Sequence, residues 1–373
     1  MKQKIVLCYD YFLPAYKAGG PIQSIANLIR NLHNQFDFFV ITSNSDMGEN
    51  NQLNIISNSW ENFENGKAKV IYLSNSKSTP FYIKKLIKEI NPDKILVNGI
   101  YSISFSLAPA YFFSNKTIMH VRGMLHPGAL SQKYYKKRLF LQVFKLLRIH
   151  NKIDFCASDD LEAGFIKTIF GLNTKVKIAQ NFPAINTSDN KIIHKEVGSL
   201  KLISIALISK MKNHALVLEA LNLVKSNVLW EIYGPIKDKK YWNYCELLIA
   251  NLPKNIKVIY KGEINPNLVF ETLPNFHFFI LPSESENFGH ALFEALISGT
   301  PIITSNNTPW NDLDIKHAGY NVELNSEAIA TTIEICSNLN HNNYLQKVTG
   351  AVQYTKNAID RDFIINQHNI LFK

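Results

Sequence analysis

The chain is 373 residues long, enough for two domains of about 100–200 residues each, and its 46% hydrophobic, 12% aromatic and 19% charged residues exclude a mainly disordered or collagen-like polymer. The net charge of +10 lies wholly in the first part: residues 1–200 carry 25 Lys/Arg against 14 Asp/Glu, residues 201–373 carry 15 against 16, and residues 101–150 hold eight basic residues and no acid. Such a field suits phosphates, nucleic acid or an anionic membrane surface. Cys8, Cys156, Cys245 and Cys336 are widely spaced with no C-x-x-C pair, which points to neither a zinc site nor a disulfide framework. The apolar stretch at 5–8 is too short for a signal peptide, and no apolar run reaches the roughly 18 residues of a membrane span, so a cytoplasmic location is expected.

In chain order, residues 5–9 read as a buried parallel strand, 12–20 as a loop, 22–32 as a helix and 38–42 as a second strand. Strands at 69–73, 94–97 and 117–121 and a helix at 81–90, ended by Pro92, continue the alternation, followed by strands at 154–157 and 175–179. Residues 181–199 lack apolar periodicity and contain Pro183, Ser188, Asp189 and Asn190, as a linker would. The alternation restarts with strands at 201–207, 228–233, 256–260, 276–281 and 301–304 and helices at 214–224, 241–251 and 290–298, and a last helix is expected from 360 to 373. The fold class is therefore α/β, with two doubly wound domains. The boundaries are 1–185 for the first, 186–199 for the linker and 200–350 for the second, with a C-terminal helical segment, 351–373, packing back toward the first domain.

The segment most suited to chemistry runs from Ser285 to Leu296. An apolar strand ends at Leu281, a turn carries Glu286 and Asn287, and a helix opens near Gly289. Ligands gather at the carboxyl ends of strands in doubly wound folds, and the amides of Phe288, Gly289 and His290 at a helix N-terminus suit a pyrophosphate. Glu294, one turn on, could accept hydrogen bonds from a ribose diol. By spacing alone Glu286 reads equally as an acid favoured by the helix dipole and Glu294 as a solvated helix residue. Gly19-Gly20 before Pro21 reads either as a close approach to an anion or as a tight turn. Lys210 and Lys212 follow the first strand of the second domain and could be surface lysines. His120 and Arg122 end a first-domain strand; they share a face if the strand persists, Arg122 suits a diphosphate or anionic acceptor, and His120 suits a core position as well. Residues 131–148 read as a basic amphipathic helix, with Lys133, Lys136, Lys137 and Arg138 either solvated or set against an anionic membrane. Asp312-x-Asp314 falls in an apparent loop and is read as chance, so no metal site and no cofactor are expected.

The run Ser285-Glu286-Asn287-Phe288-Gly289 through Glu294-Ala295-Leu296, then Gly299-Thr300-Pro301 and Thr308-Pro309-Trp310, resembles the signature of family 4 retaining glycosyltransferases, with their two glutamates separated by seven residues. The resemblance implies a GT-B architecture, two Rossmann-like domains facing across a cleft, the first on the acceptor side and the second binding the nucleotide sugar. It implies a nucleotide diphosphate sugar as donor and a glycan or lipid-linked acceptor, with a place in bacterial surface polysaccharide assembly on the inner face of the membrane. It assigns Glu286 to the transferred sugar, Glu294 to the ribose, and Gly19, Gly20, Lys212, Asn287, Phe288, Gly289 and His290 to the donor, without metal. The family's usual Arg falls at Leu207, so either Lys210 or Arg122 would supply that charge or donor activation would be weaker than usual. Relatives often place a His where this chain has Arg122. A nucleotide-sugar 2-epimerase and a non-catalytic polyanion binder are the alternative readings; no nucleic-acid-binding signature is present.

Overall fold

The computed structural model describes residues 2–49, 51–131, 134–184 and 192–373. It divides into two units, Met1–Pro183 with Arg361–Lys373, and Ala184–Asp360.

The N-terminal unit contains β1 (Gln3–Cys8), α1 (Gly20–Leu32), β2 (Phe36–Ser43), β3 (Trp60–Phe63), β4 (Ala68–Leu73), α2 (Pro80–Ile90), β5 (Lys94–Asn98), α3 (Ala108–Phe112), β6 (Thr117–His120), α4 (Pro127–Ser131), α5 (Tyr134–Leu146), β7 (Asp154–Ala157), α6 (Asp160–Phe170) and β8 (Val176–Ile178). The strands form one sheet in the order β3-β4-β2-β1-β5-β6-β7-β8, parallel except where β3 runs against β4. Ile5, Val6, Leu7 and Cys8 are all buried because β1 is central and covered on both faces. β3 escaped the sequence reading because its residues alternate between exposed and half-buried, which leaves no apolar run.

The C-terminal unit contains β9 (Ser199–Ile205), α7 (His214–Leu221), β10 (Asn227–Tyr233), α8 (Lys239–Ala250), β11 (Ile256–Gly262), α9 (Val269–Thr272), β12 (Phe278–Leu281), α10 (His290–Ile297), β13 (Ile302–Ser305), β14 (Gly319–Val322), α11 (Ser326–Ser337) and α12 (His341–Ala358). Its sheet is parallel in the order β11-β10-β9-β12-β13-β14. One core gathers Trp230, Leu218 and Ile333, another Phe279, Phe293 and Trp310.

Part of the segment expected as a linker belongs to this unit: Lys195 is buried and its Nζ donates to the carbonyls of Glu196 (2.7 Å) and Ser337 (2.6 Å), capping the end of α11. Its neighbours 185–191 lie outside the described residues. The chain after 350 is not one helix. α12 ends at Ala358, Ile359 is extended, and α13 (Arg361–Phe372) joins the N-terminal unit.

Chain order also sets where ligands can bind. The direction in which the chain winds reverses between β1 and β5 in the first sheet and between β9 and β12 in the second, and the loops leaving those strand ends diverge to open a crevice.

Candidate functional site

The loop after β9 makes a 3-10 turn, Lys210–Lys212, and Asn213 enters α7 with a left-handed backbone at φ 55°. The loop after β12 carries Glu286. The switch point between these strands therefore brings Lys212 and Glu286 together although 74 residues separate them: Lys212 Nζ donates to Glu286 Oε1, and Ser283 Oγ donates to the same oxygen at 2.7 Å. Both side chains are largely buried, where an ion pair is screened far less than at the surface.

The Glu286 loop is fastened along its length. Thr304 Oγ1 donates to Leu281 O at 2.8 Å, Asn213 Nδ2 to Pro282 O at 2.8 Å, Ser305 Oγ to Ser283 O at 2.5 Å and Trp310 Nε1 to Phe288 O at 2.6 Å, while the Glu284 amide donates to Met211 O at 2.9 Å. Gly289 follows at φ 72°, a left-handed backbone that calls for glycine, and a Cβ there would crowd the Leu292 side chain at 2.9 Å and Trp310 Nε1 at 3.3 Å. α10 opens at His290 without a side-chain cap, which leaves its positive dipole end available to an anion. Glu294, half-buried in the second turn, inclines toward that end. Burial raises its pKa to about 7, and among the described residues no donor or cation offsets the effect. Lys210 is exposed and is not brought to the Glu286 pair. Leu207 is half-buried.

In the N-terminal unit β6 ends at His120, and Arg122 turns left-handed at φ 54°, so the two do not share a strand face. His120 is 3% exposed, with Nε2 3.5 Å from Oε2 of Glu162 on α6. Burial and then the charge of Arg122 lower its pKa to about 4, against the pull of Glu162, leaving a neutral imidazole at pH 7. Burial alone would raise Glu162; the His120 contact and the amides of Gly123 (2.5 Å) and Ser158 (2.7 Å) outweigh it and hold the carboxyl at about 2. Arg122 donates through Nε to Asn98 Oδ1 at 2.6 Å and through Nη1 to Asn181 Oδ1. Burial lowers its pKa to about 10, still cationic at neutral pH, and among the described residues no carboxylate lies within ion-pairing distance of it. A half-buried cation held by two amide oxygens suits an anionic ligand.

Asn98 also ties this cation to the Gly19-Gly20 turn, because its Nδ2 donates to Pro21 O at 3.3 Å. Gly19 has φ 70° with open space around it, so the backbone conformation alone calls for glycine. The preceding loop is pinned by Asp46, whose carboxylate accepts from the amides of Tyr16 (2.9 Å) and Lys17 (3.1 Å). At the end of β1, Asp10 is raised by burial and accepts from Ser102 Oγ at 2.8 Å. The sequence reading missed Asn98, Asn181, Glu162 and Asp10. For Asn98 and Asp10 a signal existed: a polar residue closing an otherwise apolar strand.

On α5, Lys136 and Arg138 are exposed; Lys137 instead turns inward, donating to Ala129 O at 2.5 Å and lying 5.3 Å from the Tyr101 ring. Lys133 lies outside the described residues. No helix among the described residues is long and apolar enough to cross a membrane. Asp314 is bonded to Lys347 Nζ at 2.6 Å, and among the described residues no cluster of His, Cys, Asp and Glu is arranged to hold a metal.

Residues 186–347 match the family described as Glycosyl transferases group 1, a span that includes Lys212, Glu286 and Glu294. No curated protein matches the chain. Three of the many solved structures similar to it illustrate the likeness. HepE of Anabaena, in complex with UDP and glucose, has 14% identity and a TM-score of 0.69 over 99% of each chain. Sucrose-phosphate synthase of Thermosynechococcus elongatus has 14% identity and a TM-score of 0.74 over 100% of this chain and 98% of that one. WaaG, a glycosyltransferase involved in lipopolysaccharide biosynthesis, has 14% identity and a TM-score of 0.65 over 94% and 95%. The chain thus has the two-domain α/β fold of GT-B glycosyltransferases and, over residues 186–347, the pattern of glycosyl transferases group 1.

Proposed function

We propose that the protein transfers a sugar from a nucleotide diphosphate sugar to the hydroxyl of a glycan or lipid-linked acceptor with retention at the anomeric carbon, as the family 4 resemblance suggests. The observation that carries this reading is the Lys212–Glu286 pair at the β9/β12 switch point, beside the uncapped start of α10. The anomeric C–O bond breaks with its electron pair passing to the diphosphate. Lys212 and the α10 dipole stabilise that charge in place of a metal ion. The acceptor oxygen bonds to the same face of the carbon and its proton leaves with the diphosphate. Glu286 orients the sugar and faces its developing positive charge, with Asn287, Phe288, Gly289 and His290 lining the phosphate end and Glu294 the ribose. Gly19 and Gly20 border the donor diphosphate and Arg122 binds an anionic group of the donor or acceptor. The burial of His120 fits positioning rather than contact with substrate.

Support for the donor class comes from the HepE complexes with UDP and UDP-glucose, and for a surface-polysaccharide role from WaaG. A screen of nucleotide sugars by mass spectrometry, with chelator present, tests the reading. Nucleotide release is expected with one donor class, and Lys212→Ala and Glu286→Gln should each abolish transfer while the fold persists. Near-native turnover in both variants would overturn the site, and an epimerised free sugar nucleotide formed from donor alone would overturn the transferase.

We further propose that α5 rests on an anionic bilayer. Phe144 is fully buried on one face; on the opposite face Tyr135, Leu139, Val143 and Leu146 fall in one stripe and are 85%, 63%, 41% and 81% exposed. Lys136 and Arg138 flank the stripe, the arrangement of an interfacial helix.

A further inference from the structure

The two loops that bring Lys212 to Glu286 also open a second recess in the C-terminal unit. It is a cavity of about 500 Å³, within the usual size of small-molecule sites. Lys210 and Asn213 line it from the turn after β9, Glu284 from the loop after β12, Glu219 from α7, and Lys240 and Tyr244 from α8. A 3-10 turn advances about a third of a turn per residue, so alternate lysines of Lys210–Lys212 serve different walls: Lys212 reaches Glu286 and Lys210 borders the recess. The bond from the Glu284 amide to Met211 O at 2.9 Å joins the two loops beside the cavity.

The lining selects a chemistry. Two lysines and two glutamates cancel in formal charge, which disfavours a phosphate or other net-charged ligand, and four charged groups disfavour an apolar one. Ammonium and amide donors interleaved with carboxylate acceptors match a neutral polyol, whose hydroxyls both donate and accept. Tyr244 is 46% exposed, and its Oη donates to Glu219 Oε1 at 3.0 Å. That bond sets an aromatic ring next to an oriented carboxylate, an apolar surface beside a hydroxyl acceptor, as the two sides of a sugar ring require. The Tyr241 hydroxyl, accepting from the Ala215 amide at 2.8 Å, locks α7 to α8 and keeps the two walls in register.

We propose that this recess is a carbohydrate subsite, holding a neutral sugar of a glycan bound by the C-terminal unit. It rests on the reading of Lys212 and Glu286 as the transfer centre. The full-length protein is applied to an array of neutral and uronic-acid-containing oligosaccharides, and thermal stabilisation by UDP, GDP and ADP is measured in parallel. A neutral oligosaccharide should be retained, and Tyr244→Ala and Glu219→Gln should each weaken its binding by about tenfold, or about 1.4 kcal/mol, while nucleotide stabilisation stays as in the parent and certifies the fold. Retention of no glycan, or equal retention by the parent and both variants, overturns the subsite. Glycan binding sensitive to both variants without stabilisation by any nucleotide upholds the subsite and removes the donor reading instead.

Discussion

Glu294 stands in the second turn of α10 with burial raising its pKa from 4.5 to about 7, so near neutral pH about half of the molecules carry the proton. A ribose diol donates its hydroxyl hydrogens, and the carboxylate accepts them in charge-assisted bonds stronger than those a protonated carboxyl accepts. Binding therefore selects the ionised form and releases a proton from the protonated fraction. Nucleoside diphosphate affinity should rise with pH through about 7, falling about tenfold for each unit below, and Glu294→Gln should flatten that profile; the difference between parent and variant cancels the titration of the nucleotide itself. Calorimetry in buffers of unequal ionisation enthalpy reads the proton release. The same shift acts on the free protein with a definite sign. The folded state holds the proton up to about pH 7 and the unfolded chain loses it near 4.5, so stability declines as pH rises between those values. Glu294→Gln should melt higher than the parent at pH 8 without ligand and similarly at pH 4. A flat difference across pH would place Glu294 in solvent.

At the scale of elements, α5 shows what local pattern conveys and what it withholds. Its apolar and basic composition is legible in the sequence, but residues 134–147 carry two apolar stripes, and periodicity does not say which one the core takes. The structure buries Phe144 against Phe170 at 5.5 Å between ring centres and leaves Tyr135, Leu139 and Leu146 exposed. Because those side chains already face water, Leu139→Ser and Leu146→Ser should leave the unfolding free energy within about 0.5 kcal/mol of the parent and weaken binding to vesicles containing anionic phospholipid. Lys136→Gln with Arg138→Gln removes about 1 kcal/mol per charge, about a thirtyfold loss, and salt should weaken the parent more than that double variant. Equal sedimentation of all forms with vesicles would overturn the membrane role of α5. The central strands were legible for a simple reason: parallel strands covered on both faces are unbroken apolar runs. The Glu286 motif was legible because one loop and one helix contain it. The frame around Arg122 was not: Asn181 and Glu162 lie 59 and 40 residues from it in sequence, and Asn98, visible as the polar end of β5, gives no sign of its partner 24 residues away. The expectation that His120 and Arg122 share a face failed where β6 stops one peptide too early for strand alternation to apply.

At the scale of the whole molecule, the chain builds its first unit from two separate pieces. α13 seats Ile364, Leu371 and Phe372, each at most 1% exposed, against the N-terminal unit; Phe372 packs on Phe36 at 5.2 Å, His368 on Phe182 at 4.8 Å, and the Gln180 amide donates to Gln367 Oε1 at 3.0 Å. Removing three such side chains forfeits about 1.5–3 kcal/mol each, comparable with the whole 5–15 kcal/mol of a typical domain. The C-terminal unit has its own sheet and cores and draws on none of these contacts. A chain stopped after Asp360 should accordingly lose the N-terminal unit while the C-terminal unit keeps its fold. Hydrogen exchange measures this directly: amides of β1, β5 and β6 should exchange at nearly unprotected rates, whereas those of β9, β10 and β12 should stay protected and gain further protection at 206–213 and 286–294 when nucleoside diphosphate is added. Uniform loss of protection in both units would mean that the C-terminal unit depends on the N-terminal one, and the donor would then require both.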